Sequence, residues 1–185
     1  MTATLRVHAV EPASRANGPG VRATVWLQGC TLGCPGCFNP ATHAADGPIT
    51  PVAELVDRIA ALPVDGLTVS GGEPFEQPDG LRALIEGVRA RTGLSVLVFS
   101  GFTLEELRAR AGAPAILALI DVLVDGRYRS GERLARGLRG SANQRIHLLS
   151  PRHTLAEVEA TPDAEIRIDP AGGLVISGVA PIRVR

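Results

Sequence analysis

The chain has 185 residues, 45% of them hydrophobic, enough to bury one sizeable core and too apolar for global disorder. Formal net charge is zero and all nineteen basic side chains are Arg, which leaves no overall electrostatic footprint for nucleic acid. Met1 to Val10 lack the basic-then-apolar order of a secretory signal, and no apolar run approaches the roughly 20 residues of a membrane span, so a cytoplasmic protein without membrane contact is expected.

In chain order, Ala23 to Gln28 reads as a buried strand running into Cys30. Thr50 is placed to cap a helix with Pro51 at its first position, and Leu55, Ile59 and Leu62 give that helix an apolar stripe. Gly66 to Ser70 is the next strand and ends in Gly71-Gly72-Glu73-Pro74. A helix from about Pro78 to Arg91 follows, with Leu81, Leu84, Ile85 and Val88 on one face. Leu94 to Ser100 is a strand, and Thr103-Leu-Glu-Glu106 is a capping box opening another helix. Ala115 to Ile120 predicts a short helix, Val122 to Val124 a buried strand, and Gln144 to Leu149 one more strand. A second capping box lies at Thr154-Leu-Ala-Glu157. Glu165 to Ile168 and Leu174 to Ser177, around Pro170-Ala-Gly-Gly173, predict a closing β-hairpin. Such strand–helix alternation implies parallel strands with right-handed crossovers, in an open sheet or a partial barrel. The glycine-rich motifs follow strands, at the edge where α/β folds bind ligands.

The only three cysteines are Cys30, Cys34 and Cys37, spaced x3 and then x2. An odd number packed so tightly is a poor disulfide framework. An iron–sulfur cube held by three cysteines leaves one iron open to chemistry, which points to an enzyme rather than an electron carrier. Two other readings stand beside it. A Cys3His zinc site would add His43, although zinc ligands usually come as two separated knuckles. A redox pair at Cys34-Pro-Gly-Cys37 would leave Cys30 unexplained. The cluster reading uses all three residues and is favoured.

Gly71-Gly72 alone is an ordinary turn, but glycine lets a backbone approach a ligand, and the Glu73 carboxylate is able to accept from a ligand amine. Asn17-Gly-Pro-Gly20, Asp125-Gly126 and the stretch Arg139 to Gln144 read in isolation as turns or solvated loops. Trp26, on a strand, is expected in the core, and Phe38 adjoins the last cysteine. His8, His147 and His153 have no evident partners in the sequence.

Taken together these motifs resemble the radical S-adenosylmethionine (SAM) superfamily, and more narrowly the activating enzymes of anaerobic, class III ribonucleotide reductase. The matching segments are Asn17 to Gly20, Gly29-Cys30, Cys34 to Asn39, Ser70 to Pro74, Ser100 to Leu107, Asp121 to Gly126 and Arg139 to Gln144, in the family's order. The resemblance implies a partial (β/α) barrel of the radical SAM type over residues 1–149; residues 150–185 are expected to form an extension packed on the same domain and ending in the hairpin. It implies a 4Fe-4S cluster on Cys30, Cys34 and Cys37, with SAM bound at the open iron. Gly36, Cys37, Phe38, Gly71 and Gly72 match positions lining SAM, and Glu73 matches the side facing its amino group. Ser100, Asp125, Ser141 and Asn143 match strand-end positions near its ribose or carboxylate.

The partners implied are a glycyl-radical enzyme and a low-potential electron donor such as a flavodoxin or ferredoxin. No further cysteine remains for an auxiliary cluster. A radical SAM enzyme acting on another peptide or small molecule, and a non-catalytic zinc-binding module, are the alternatives. Two features depart from the family: His43 stands where an aromatic Trp is common, and the extension beyond Ser150 is longer than the minimal activase.

Overall fold

The computed structural model describes residues 3–168 and 172–180. A long first strand, β1 (Thr4–Ser14), leads into β2 (Arg22–Leu27) and, after the cysteine loop, into the short β3 (Ile49–Pro51) and α1 (Val52–Ala60). Next come β4 (Gly66–Gly71), α2 (Pro78–Arg91), β5 (Ser95–Ser100), α3 (Leu104–Ala109), α4 (Ala113–Leu117) and β6 (Val122–Asp125). The remainder comprises β7 (Arg133–Arg136), β8 (Arg139–Ser141), β9 (Arg145–Leu148), α5 (Leu155–Glu159), β10 (Ala164–Ile168) and β11 (Leu174–Gly178).

Seven strands form one mixed sheet in the order β3-β1-β2-β4-β5-β6-β9. Its centre, β2-β4-β5-β6, is parallel, while β1, β3 and β9 pair antiparallel at the flanks. Two antiparallel ribbons complete the fold, β7-β8 and the C-terminal hairpin β10-β11.

Side-chain alternation along the central strands divides the interior in two. Ala23, Val25 and Leu27 of β2, Leu67 and Val69 of β4, Val96 and Val98 of β5 and Leu123 of β6 join the main core with Leu55, Val56 and Ile59 of α1 and Leu81, Leu84, Ile85 and Val88 of α2. On β5 and β6 the alternate residues Leu97, Val122 and Val124 pack instead with Leu138 and with Val158 of α5. Trp26 alternates with the core residues of β2; it is half-buried and lines a cavity rather than joining the core, a correction to its expected place.

Both capping boxes form as the sequence predicts, with Thr103 accepting from the Glu106 N–H and Thr154 from the Glu157 N–H. The helix expected to have Thr50 as its cap and Pro51 as its first residue begins one residue later, at Val52, because Thr50 pairs with Leu5 and Pro51 with Thr4 on β1. The short helix predicted over Ala115 to Ile120 forms as Ala113–Leu117, entered through a left-handed Gly112. The hairpin pairs Ile166 with Ile176 and Ile168 with Leu174; Pro170 and Ala171 of its predicted turn lie outside the described residues. Strands β1, β3, β7 and β8 have no counterpart in the sequence pattern. β1 carries Pro12 and mixes polar with apolar residues, and the β7-β8 ribbon is short and Arg-rich, so neither shows the apolar run of a buried strand.

Candidate functional site

The C-terminal ends of the four parallel strands meet at one edge and deliver the cysteine loop after β2, Gly72-Glu73 after β4, Gly101 after β5 and Gly126 after β6. Between this edge, the sheet face carrying Trp26, Ser70 and Phe99, and the hairpin lies a cavity of about 450 Å³. Cys30, Cys34 and Cys37 all line it; each is a free, half-buried thiol.

The loop is anchored at both ends by its own backbone and by side chains from elsewhere. Gly29 and Cys30 donate their N–H groups to the carbonyls of Thr42 (2.8 Å) and His43 (3.0 Å). The Gln28 amide donates to the carbonyls of Ala41 (3.0 Å) and Ala44 (2.6 Å), and its oxygen lies 2.8 Å from Nδ1 of His8. Glu76 accepts from the Thr31 N–H and hydroxyl. Within the loop the Cys37 N–H donates to the Cys34 carbonyl, and the Asn39 N–H points at Cys37 Sγ. Gln28 and His8 are therefore structural partners of the cysteine loop. Only the position of Gln28, two residues before Cys30, hinted at this in the sequence.

Gly71 and Gly72 owe their identity first to strand packing. The Gly72 N–H donates to the Leu27 carbonyl and the Glu73 N–H to the Gly29 carbonyl, so a Cβ at Gly72 would lie 2.1 Å from Gly29 O. Gly71 adopts φ +100°, a left-handed conformation that disfavours any side chain. The result is a bare backbone surface between the cysteine loop and Glu73.

Glu73 is buried, and burial raises its carboxyl from the ordinary 4.5 to about 7 against the opposing pull of its hydrogen bonds. Oε1 accepts from the Phe75 N–H (3.0 Å) and the Ser100 hydroxyl (2.9 Å), and Oε2 from the Gly101 N–H (2.8 Å). A carboxylate has about four acceptor positions, so three protein donors leave one for a ligand. Burial, with the nearby Glu73 and Glu76 carboxylates, likewise pushes the Cys30 thiol up.

Phe38 is 42% exposed and leans from the loop against Tyr128, ring centroids 4.6 Å apart, with the Arg133 guanidinium 4.9 Å from the centre of its ring. Of the remaining predicted residues, Ser100 lines the cavity and Gly36, Asp125, Ser141 and Asn143 do not. Gly36 is exposed and faces Ser130. Asp125 Oδ2 accepts from the Leu104 N–H at the start of α3 (2.6 Å) and lies 2.9 Å from Nε2 of His147. The Ser141 hydroxyl donates to the Asn143 side-chain oxygen (2.7 Å), and Asn143 donates to the Arg127 carbonyl (2.9 Å). These residues brace the cavity's outer shell. In their place the cavity takes His8, Glu11, Asn17, Gln144 and the inner side of β11.

Among the described residues no three His, Cys, Asp or Glu side chains converge closely enough for a single ion, so the Cys3His zinc set with His43 is not assembled. The ligands of a cube bind separate irons and stand wider apart, and three thiols spread around one cavity suit it. That donor set, with no fourth cysteine in the chain, fits a 4Fe-4S cluster with one open iron.

Comparison with known proteins agrees. Residues 16–147 match the 4Fe-4S single cluster domain family. Anaerobic ribonucleoside-triphosphate reductase-activating proteins from Vibrio cholerae and Salmonella typhimurium are 37% and 35% identical over 155 and 156 residues, respectively. These alignments cover 77% and 78% of this chain and 97% and 99% of the relatives. The Escherichia coli protein of the same name is 34% identical over 156 residues, covering 78% of this chain and 99% of its own length. The chain belongs to this family of activating proteins. The activase reading of the cysteine loop thus stands on both sequence kinship and site chemistry. The hairpin β10-β11 lies beyond the residues matched by the cluster-domain family. No helix among the described residues is long and apolar enough to cross a membrane.

Proposed function

We infer that this protein is a radical SAM enzyme that generates the glycyl radical of an anaerobic ribonucleotide reductase. The observation that carries the reading is three free thiols, and no fourth, around a cavity at the C-terminal edge of parallel strands in a chain of the activating-protein family. Cys30, Cys34 and Cys37 hold the 4Fe-4S cluster. When bound and reduced, that cluster would supply the single electron for reductive cleavage of SAM, the chemistry needed to remove a hydrogen atom from the reductase glycine.

The chain's own residues bind and orient. The bare Gly71-Gly72 backbone gives SAM close approach, and the free acceptor position on Glu73 takes its amino group. Ser100 fixes the Glu73 carboxylate, and Phe38 flanks the site above the cysteine loop. Asp125, Ser141 and Asn143 act one layer out, holding Gly126 and the segment around Tyr128. The walls of Trp26, Phe99 and Leu138 exclude water, which keeps a reactive radical on its intended C–H bond.

The parallel strands, with α1 and α2 on one face and the cavity and α5 on the other, are read as the partial (β/α) barrel of the radical SAM type. Residues 1–149 form its core. The extension from Ser150 packs on it through the Ser150–Asp121 hydrogen bond and Val158, in keeping with a single domain. A low-potential flavodoxin or ferredoxin in the cytoplasm is the electron source consistent with this chemistry; no role for nucleic acid is proposed.

The test is anaerobic. Protein reconstituted with iron and sulfide, given SAM and a strong reductant, is expected to release 5′-deoxyadenosine and, with reductase present, to raise a glycyl-radical signal. One zinc per chain with no brown chromophore would overturn the reading.

A further inference from the structure

The C-terminal hairpin is tied across the open side of the cavity by its inward face. Glu165 accepts from the Ser14 hydroxyl (2.8 Å) and the Arg15 N–H (2.9 Å), Arg167 pairs with Glu11, and Asn17 donates to the Ser177 hydroxyl (2.7 Å). Just before β10, Asp163 accepts from the Gly137 N–H in the turn of the β7-β8 ribbon (2.9 Å). The hairpin thus bridges β1 and that ribbon, and Val175 and Ser177 become cavity wall.

Its outward face has the opposite chemistry. Register pairs Ile166 with Ile176 and Ile168 with Leu174, putting four aliphatic side chains side by side. They are 50%, 50%, 69% and 59% exposed, four of the nine large hydrophobics left exposed among the described residues. Isolated exposed aliphatics are ordinary, but a contiguous group on a firmly anchored strand pair marks a contact surface. Ile176 of this face is also among the residues that line the cavity, so the patch lies beside the cavity rim. Whatever presents a C–H bond to that cavity must lie over the same rim, since the radical attacks only what it touches.

Resting on the activase reading above, we propose that the outward face of the hairpin, built from Ile166, Ile168, Leu174 and Ile176, is a docking surface for the glycyl-radical reductase. The occupant is an apolar patch of the reductase bordering its glycine segment. The hairpin supplies apolar contact area there, beyond the matched cluster domain, and holds the reductase glycine at the cavity mouth.

The experiment uses the full reconstituted protein carrying Ile168→Asn and Leu174→Asn together, two side chains that do not line the cavity. Glycyl-radical yield is measured against reductase concentration, and 5′-deoxyadenosine is measured without reductase. The expected result is an increase of about tenfold or more in half-saturating reductase, as for loss of a clustered apolar contact, with uncoupled 5′-deoxyadenosine unchanged. An Ile166→Gln variant, checked for an unaltered melting temperature, is expected to shift the curve in the same direction. An unchanged curve in both variants overturns the proposal, as does an equal loss in both assays, which makes the face part of the fold. A change in oligomeric state with an unchanged curve also overturns it, assigning the face to a second copy of the chain. If wild-type protein cleaves SAM yet never radicalises the reductase, the activase reading fails first and the docking proposal with it.

Discussion

Two buried ionisable groups sit at opposite ends of the parallel strands, and the sheet treats them differently. At the cavity edge, burial raises Glu73 to about 7, and one acceptor position is left over. At the far end burial lowers Arg22 to about 10, against the pull of the Asp121 and Asp65 charges. Every Arg22 donor is used: Nε on the Thr68 hydroxyl, one terminal nitrogen on Pro19 O and Ser95 Oγ, the other on the carbonyls of Leu67 and Ser95. A guanidinium has five N–H donors, so nothing remains for a ligand. Both groups bear the desolvation of a buried charge. Arg22 clamps three strands, whereas Glu73 keeps capacity in reserve beside the cysteine loop. Burial and a displaced pKa do not by themselves mark a functional group; unused hydrogen-bonding capacity facing a cavity does.

The sharpest test of this division is Cys34→Ala. It is expected to abolish the brown chromophore and 5′-deoxyadenosine production while leaving the melting temperature of the metal-free protein nearly unchanged. A large drop in that temperature would mean the two ends are not separable.

Arg22→Leu should act in the opposite sense. Stranding several buried acceptors is expected to cost about 3–5 kcal/mol in urea unfolding, with SAM affinity retained in the folded fraction. Affinity lost in folded protein would break the comparison.

Glu73→Gln removes charge but keeps size. Losing one charge-assisted hydrogen bond, worth about 1.5–3 kcal/mol, should weaken SAM binding about ten- to a hundredfold in calorimetric titration. In wild-type protein the affinity should rise with pH through about 7 as the carboxyl ionises, and Glu73→Gln should flatten that rise. The stability sign is the reverse. Native Glu73 holds a proton that the unfolded chain releases above its ordinary value of 4.5, so this group's contribution falls from there to about pH 7 and then levels. The substitution should remove that slope.

The smallest effect belongs to a helix cap that lines no part of the cavity. Thr103→Ala breaks a capping box and is expected to cost about 1 kcal/mol in thermal unfolding without altering SAM binding.

Much of this architecture was readable beforehand because it depends on neighbours in the chain. The buried parallel strands are short, mostly apolar and β-branched runs, both capping boxes span four residues, and the cysteines need only their own spacing. Strand β1 escaped because its pairing lies with β2 and β3 rather than in any pattern of its own. Trp26 was misplaced because its strand has two buried sides, one facing helices and one facing the cavity, and composition does not distinguish them. Asp125, Ser141 and Asn143 stand at strand ends as expected, yet their polar atoms are spent on Leu104, Arg127 and one another.

By itself the sequence determined the strand–helix order, the glycine-rich ends and a three-thiol set with no fourth member, all properties of short stretches. Tertiary structure alone decided which polar groups keep free valence at the cavity and that the hairpin lies across it. Those outcomes rest on contacts such as Asn17 to Ser177, 160 residues apart, where saturation depends on which distant atoms meet. Local spacing assembles the donors for a cluster; long-range packing determines what else can reach them.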